Sequence, residues 1–360
     1  MKPPGVLKFG GSSFRDVSAY AEVAAHLQAR MKDEERRLVI IVSAMPGGTE
    51  RLRHRLHQVN EHPLDETIAG LLTLADTVSA HLLASALHRL GTTATVLAGH
   101  QTGFVTNTVF SWARLERLDA VPLRNALAAY EVVIIPGGQA ADAAGRPTWL
   151  GKNSSDLAAV AAAAALGVPE VEIHSDVDGI YSADPHLIAG SRLLPRVSYA
   201  SAMALSLRGA KVLHRRAIQL AEKHGIKIVC RLNRPPHRIG TVIAATGDLV
   251  EAVILNADSI TIRFDSAMEA DHAHSVFATE GVATLRSDHE IGALVTVVGG
   301  FLDLEAFSHR HGIGGVALSE VLVAEISGSR TSLHLVDGWD AAVALAQHLH
   351  DPSARSRSHQ

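Results

Sequence analysis

Val6-Leu7-Lys8-Phe9-Gly10-Gly11-Ser12-Ser13 is an apolar run carrying one lysine that passes directly into two glycines and two serines. Residues 6–9 read as a first β-strand, and residues 15–30 have helical spacing, so the glycines fall in a strand-to-helix turn. Paired glycines let backbone N–H groups approach a ligand with no Cβ in the way. The helix N-terminus adds unpaired donors. With Lys8 beside it, the turn suits an anion such as phosphate. It also fits an ordinary glycine-rich turn next to a surface lysine, and the motifs further along the chain decide between these.

Beyond that turn, short β-branched runs alternate with alanine-rich helical spacing. Strands are expected at 6–9, 37–42, 94–97, 132–136, 171–175, 226–229 and 241–244. Helices are expected near 15–30, 65–90, 112–129, 155–166, 198–207 and 213–224. This order predicts an α/β fold, a mostly parallel sheet sandwiched by helices, with ligands past the carboxyl ends of the strands. After about residue 248 the rhythm changes. Strands are expected over 251–264, 281–286 and 293–298, and helices over 267–279 and near 302–311. A hairpin of 316–326 and 331–336 around Ser327-Gly328-Ser329 and a helix over 339–350 follow, the α+β pattern of small ferredoxin-like modules. The expected organisation is residues 1–247, residues 248–351 and a frayed polar tail at 352–360.

A chain of 360 residues allows two or three such units. Aromatics make up only 4% of it, so alanine, leucine and valine supply the core. A net charge of −4 excludes a broad basic surface for nucleic acid. Cys230 is the single cysteine, which excludes a disulfide framework or a thiolate metal cluster. The 21 histidines form no H-x-x-x-H or H-E-x-x-H pair on an expected helix, so they read as core or surface residues and no metal ligand is expected. No signal segment and no apolar run of membrane-spanning length is read, and the expectation is a soluble cytoplasmic protein.

There is no G-x-x-x-x-G-K-[ST], no G-x-G-x-x-G after a strand and no G-x-S-x-G. Any phosphate chemistry therefore needs another construction. Residues 42–49, with Ser43, offer hydroxyls and amides that could face the first loop, or form a plain βα connection. A second glycine pair, Gly137-Gly138, ends the fourth strand. Leu150-Gly151-Lys152-Asn153-Ser154-Ser155-Asp156 runs into an alanine-rich helix with Ser154 or Ser155 at its N-cap. That makes a second anion-friendly site, although Asp156 is also favoured there by the helix dipole alone. His174-Ser175-Asp176-Val177-Asp178-Gly179-Ile180-Tyr181-Ser182-Ala183-Asp184-Pro185 places three carboxylates past the fifth strand. Such a loop could hold a nucleotide sugar, orient a lysine, organise Mg²⁺ or be a solvated turn. Lys211 in Gly209-Ala210-Lys211-Val212-Leu213-His214 adds a cation. Phosphoryl transfer needs mainly positioning and charge neutralisation, which two lysines and opposed glycine loops provide. These features point to a small-molecule kinase.

Taken in order, Lys8 to Ser13, Ser175 to Pro185 and Gly209 to His214 resemble the aspartokinase branch of the amino acid kinase family over about residues 5–245. The rest resembles a shortened form of that family's C-terminal ACT region. The resemblance implies that Lys8 neutralises the transferring phosphate in a loop lined by Gly10, Gly11 and Ser12, while Asp156 holds the lysine. It implies substrate contacts for Ser43, Asp76, Lys152, Asn153 and Ser155. Ser175, Asp176, Tyr181 and Asp184 would face the nucleotide, and Lys211 its phosphates. The implied reaction uses ATP and Mg²⁺ to convert L-aspartate to 4-phospho-L-aspartate. Pairing of ACT-like sheets implies a homodimer, with neither nucleic acid nor membrane as partner.

The departures cluster at the amino acid end. Ala75-Asp76 stands for a Gly-Glu pair, and Lys152 stands for an arginine whose bidentate grip it cannot reproduce. Asn153 and Ser154 replace glycines, His186 an arginine and Arg215 a proline. The place of the ACT effector turn reads Asp265-Ser266-Ala267 and Gly299-Gly300-Phe301, which argues against feedback by lysine or threonine. Three functions therefore stand: an aspartate kinase, a kinase of another amino or carboxylic acid in specialised biosynthesis, and a non-catalytic regulatory homologue. Retention of Lys8, Asp156, Asp176 and Lys211 weighs against the last.

Overall fold

All five residues of β1 (Gly5–Phe9) are buried, as are all five of β2 (Leu38–Val42). Strands without polar alternation need cover on both faces, the condition of a parallel sheet clad in helices. The computed structural model describes residues 2–34, 37–210, 213–280, 282–298, 304–328 and 330–351. It comprises two units, residues 1–179 with 216–245 and residues 180–215 with 246–360. The strands continue with β3 (Ala94–Val96), β4 (Phe104–Thr106), β5 (Leu115–Leu118), β6 (Val132–Pro136), β7 (Gln139–Asp142), β8 (Pro147–Trp149) and β9 (Glu170–Ser175). Next come β10 (Arg196–Ser198) in the second unit, then β11 (Lys227–Leu232) and β12 (Ile239–Ala244). The first unit's main sheet runs β12-β11-β9-β1-β2-β6-β3 and is parallel except for β12.

The helices of this part are α1 (Ala19–Glu34), α2 (Gly48–Val59), α3 (Asp65–Arg89), α4 (Val121–Ala129), α5 (Ser155–Leu166), α6 (Tyr199–Leu207, in the second unit) and α7 (Arg215–His224). Leu7 and Phe9 of β1 share one core with Tyr20 and Leu27 of α1, Leu83 and Leu87 of α3, and Leu38 and Ile40 of β2. Side chains alternate along a strand, so Lys8 emerges on the opposite face. α5 packs against β1, β2 and β9 with Ala158 to Ala163 wholly buried, since small side chains allow close approach to the sheet.

Several readings of the sequence need correction. The helix expected over 112–129 is α-helical only in α4; Leu115–Leu118 is instead β5 of a small sheet ordered β5-β4-β7-β8. Strands of three or four residues carry too little periodicity to read. α2 was not expected because its apolar stripe is narrow, Leu52, Leu56 and Val59 set among charged and polar residues, and none of its residues is buried. α3, with 25 residues, is long and apolar enough by length and composition to cross a membrane, against the reading that no run reaches that length. Here it is a core helix, with Ala69, Leu72, Leu83 and Leu87 no more than 1% exposed.

The second unit adds β13 (Glu251–Leu255), β14 (Ile260–Phe264), β15 (Thr284–His289), β16 (Gly292–Val297), β17 (Val316–Ala317), β18 (Val321–Ser327) and β19 (Arg330–Val336). Its remaining helices are α8 (Ala267–Thr279), α9 (Leu304–His311) and α10 (Trp339–His350). Two antiparallel sheets result, β13-β18-β19 with α10 and β15-β16-β14-β17 with α8, in keeping with an ACT-like region. The strand expected over 316–326 splits into β17 and β18, which belong to different sheets. Phe277 and Phe307 stack at 4.9 Å in one core, and Val253, Val323 and Ala342 fill the other. Gly299-Gly300-Phe301, Ser329 and the 352–360 tail lie outside the described residues. Ser266 of the other effector-turn segment caps α8, accepting from the Glu269 N–H.

Candidate active site

Lys8 Nζ lies 2.8 Å from Asp156 Oδ1, with the two side chains 11% and 9% exposed. The strand's alternation turns Lys8 toward α5, and Asp156 sits in that helix's first turn. Ser154 is the N-cap residue, but its hydroxyl donates to Gly151 O and makes no side-chain cap.

Three strand-end loops close on this pair. Gly10 N–H donates to His174 O at 3.1 Å, and Gly11–Ser13 forms a 3₁₀ turn. A Cβ on Gly11 would lie 2.8 Å from Ala44 O, so the loops after β1 and β2 touch through their main chains. A Cβ on Gly137 would lie 2.5 Å from Ser155 Cβ and 3.0 Å from Val42 O. Ser43 Oγ and Ser155 Oγ are 2.9 Å apart and share a hydrogen bond. Lys8, Gly10, Gly11, Ser12, Ser43, Ser155 and Asp156 are therefore gathered at one end of the sheet.

Sequence reasoning missed Asn233. Its Nδ2 donates to Ser12 Oγ at 3.1 Å and Ser13 Oγ at 3.2 Å, while its N–H donates to Ser175 O at 2.7 Å. One side chain so fastens the glycine-serine turn to the end of β9. The signal available was an amide after a β-run and before Arg234-Pro235-Pro236, a turn-forming sequence.

Asp76, on α3, is half-buried and its Oδ1 accepts the Ala44 N–H at 2.6 Å. A Cβ on Gly138 would stand 3.4 Å from Oδ2, so the second glycine pair borders it. Burial pushes this carboxyl up to about 8, against the opposing pulls of the Ala44 N–H and the Lys8 cation. The folded chain consequently keeps a proton on Asp76 between about pH 4 and 8 where the unfolded chain does not, and stability falls as pH rises through that window. The contribution has a slope of up to about 1.4 kcal/mol per pH unit. Asp76→Asn should flatten that part of the profile, which urea unfolding at pH 5 and pH 8 will read. Equal slopes for both proteins would refute the shift.

Lys152 Nζ lies 3.2 Å from Glu50 Oε1, with side chains 31% and 57% exposed. A pair so exposed is a weak tether. Asn153 holds φ 59°, the left-handed conformation that a glycine would adopt freely and that asparagine tolerates. The acidic loop divides. Asp176 is exposed beyond β9 and accepts from Ser175 Oγ at 3.0 Å, whereas Asp178 is 2% exposed and bonded to Arg238. Tyr181 and Asp184 belong to the second unit. There Tyr181 bridges to Leu193, and Asp184 Oδ1 accepts the His186 N–H at 2.9 Å. Lys211 lies outside the described residues.

A parallel sheet whose strand-end glycine loops converge on a buried lysine–aspartate pair defines an α/β protein with a glycine-lined, lysine-bearing site at its strand ends. The chain belongs to the amino acid kinase family, whose model matches residues 5–231. It is similar to aspartokinases: that of Helicobacter pylori strain J99 is 34% identical over 243 residues, 68% of this chain and 60% of the relative. That of Thermus thermophilus is 33% identical over 268 residues, 74% of this chain and 64% of the relative. The matches thus span less than two thirds of these relatives' length. E. coli aspartokinase III in complex with aspartate and ADP shares the fold, with a TM-score of 0.75, 20% identity and coverage of 96% of this chain and 99% of that one. Aspartate kinase from Synechocystis superposes with a TM-score of 0.58 at 27% identity, over 89% of this chain and 60% of that one.

Proposed function

We propose that the chain is an ATP-dependent kinase that phosphorylates the side-chain carboxylate of L-aspartate to 4-phospho-L-aspartate. The observation that carries this reading is the Lys8–Asp156 pair, 2.8 Å apart beneath glycine loops from three strand ends. A carboxylate oxygen attacks the γ-phosphorus and the bond to the β-phosphate oxygen breaks, releasing ADP. The nucleophile is already ionised, so no general base is needed, and Asp156 serves by fixing the lysine. The Lys8 ammonium offsets charge on the transferring phosphoryl group, with the turn at Gly10, Gly11 and Ser12 supplying main-chain donors. Asp76 and the Ser43–Ser155 pair border the amino acid. A substrate ammonium beside Asp76 would favour its ionised form and draw its proton affinity down.

The nucleotide side is Ser175 and Asp176, with Tyr181, Asp184 and Lys211 assigned by their motifs. The hard oxygen donors of the Ser175–Asp176 loop end suit Mg²⁺, which when bound with ATP neutralises its phosphates. Residues 1–247 act as the catalytic domain and 248–351 as an ACT-like region through which two chains pair. That the similar E. coli enzyme was crystallised with aspartate and ADP, a substrate and a product of this reaction, supports the reading.

A second reading, a kinase of another amino or carboxylic acid, is favoured by the Lys152–Glu50 pair, since that lysine already has an anionic neighbour. Lys152→Arg should raise kcat/KM for L-aspartate about 10-fold by restoring a forked donor. Lost activity or no change would favour the second reading. The deciding assay is ADP release with Mg-ATP, a panel of acids and hydroxylamine, which traps acyl phosphates as hydroxamates. Hydroxamate mainly from L-aspartate supports the first reading, and turnover only with another acid supports the second. ATP binding without turnover on any acid would overturn both.

A further inference from the structure

Three histidines from distant parts of the first unit meet behind the phosphate turn: His26 on α1, His174 on β9 and His237 between β11 and β12. One ring nitrogen from each lies within 4.8 Å of the other two. Hydrogen bonding decides which nitrogen each ring has to offer. His174 is wholly buried, and its Nε2 lies 3.3 Å from Glu172 Oε2. The carboxylate takes that N–H, so the lone pair falls on Nδ1, which has no hydrogen-bond partner among the described residues. His237 Nδ1 lies 3.2 Å from Leu232 O and carries the proton there, which frees Nε2. His26 Nε2 is buried and likewise has no partner among the described residues.

We propose that His26, His174 and His237 form a binding site for a late first-row divalent cation, Zn²⁺ by ligand chemistry, through one ring nitrogen of each. Imidazole suits this class of ion, and three nitrogens leave a fourth position for water. Glu172 behind His174 is the anionic partner that fixes a ligating ring's tautomer. It is itself held by Arg30 at 2.9 and 2.8 Å and by Arg231 at 2.7 Å, so it orients the ring and is not a fourth ligand. Burial lowers all three rings' proton affinity, His26 to about 3, so the neutral ligand form is present at pH 7. The rings of His26 and His237 stack with centroids 3.8 Å apart, so one must turn out of the stack for both lone pairs to meet an ion, and the nitrogens, now within 4.8 Å, must come to about 3.3 Å for tetrahedral Zn²⁺ with Zn–N of ~2.0–2.1 Å. Closing the cluster by up to about 1.5 Å falls to His237, which is half-buried and lies in a turn. Occupancy would stiffen the phosphate turn, because His174 O holds the Gly10 N–H and the same β11–β12 turn carries Asn233.

The test is titration of chelator-treated full-length protein with Co²⁺, read by visible d–d absorption, then displacement with Zn²⁺. One tetrahedral band per chain that Zn²⁺ removes is expected. His26→Gln and His237→Gln should each weaken binding more than about 100-fold. His62→Gln, an exposed histidine outside the cluster, should leave the band unchanged. Circular dichroism confirms that each variant is folded, and with two ligand variants a folding failure in one leaves the other decisive. No stoichiometric band in the parent chain, or a band that survives in a folded His26→Gln or His237→Gln protein, overturns the site. Because the readout is spectroscopic, its failure leaves the kinase reading untouched.

Discussion

Lys8→Ala should lower kcat by about 10³-fold, the effect of removing one preorganised charge from a developing transition state. The sequence alone suggests that the fold would be spared, because the residue borders a ligand loop. Its burial against Asp156 changes that expectation. Truncating the lysine takes from a buried carboxylate the cation 2.8 Å away, and breaking such a pair costs about 3–5 kcal/mol. The double variant Lys8→Ala/Asp156→Ala removes the carboxylate as well and should recover part of that stability while remaining inactive. Hydroxamate formation and urea unfolding separate the two effects. A Lys8→Ala protein that keeps more than a tenth of the parent rate would refute the assignment of this lysine to the phosphate.

The second large effect is expected at Glu172, 4% exposed between Arg30, Arg231 and His174. Burial alone would raise its carboxyl, but the forked hydrogen bonds from Arg30, the His174 bond and the charges of Arg30 and Arg231 outweigh it and hold it well below the usual carboxylate range. Glu172→Gln keeps the volume and removes the charge, leaving two guanidinium groups facing each other. The expected loss is about 3–5 kcal/mol. The sign with pH follows from the lowered folded value. The ionised carboxylate's contribution is complete above its ordinary 4.5 and declines as pH falls below it. The gap between parent and variant should therefore be widest near neutrality and narrow below about pH 4.5, as urea midpoints across pH 3–7 will show. A constant gap would mean that packing, and not charge, dominates at this position.

The parallel sheet and the glycine turn were legible because their determinants are local. β2 and β6 are unbroken apolar runs and β1 is one broken only by Lys8, and α5 starts and ends at the residues its alanine pattern marks. What escaped reading depends on contacts across long stretches of chain. Asn233 meets Ser12 from 221 residues away, so no local pattern links them. The three histidines are separated by 148 and 63 residues, which defeats any spacing rule for ligands. Asp178 and Asp176 are two positions apart, yet one is buried on Arg238 and the other is exposed; that division arises in tertiary structure. α2 escaped for a different reason, since its hydrophobic period rests on only three residues, Leu52, Leu56 and Val59, none of them buried.

The two halves of the pocket differ in what they can inherit. At Gly11 and Gly137 an added carbon would strike Ala44 O, Val42 O and Ser155 Cβ, all fixed to the main chain, and no neighbouring side chain can retreat to make room. Descendants of this chain can therefore change little there without losing the cradle. At residues 152–154 the constraint is looser: Asn153 has adopted a glycine's backbone angle while bringing a side chain, and Lys152 reaches a solvent-facing partner. Divergence can accumulate at that end while the glycine cradle stays unchanged, so, under the proposed function, a lineage could exchange one acid for another and keep the same reaction.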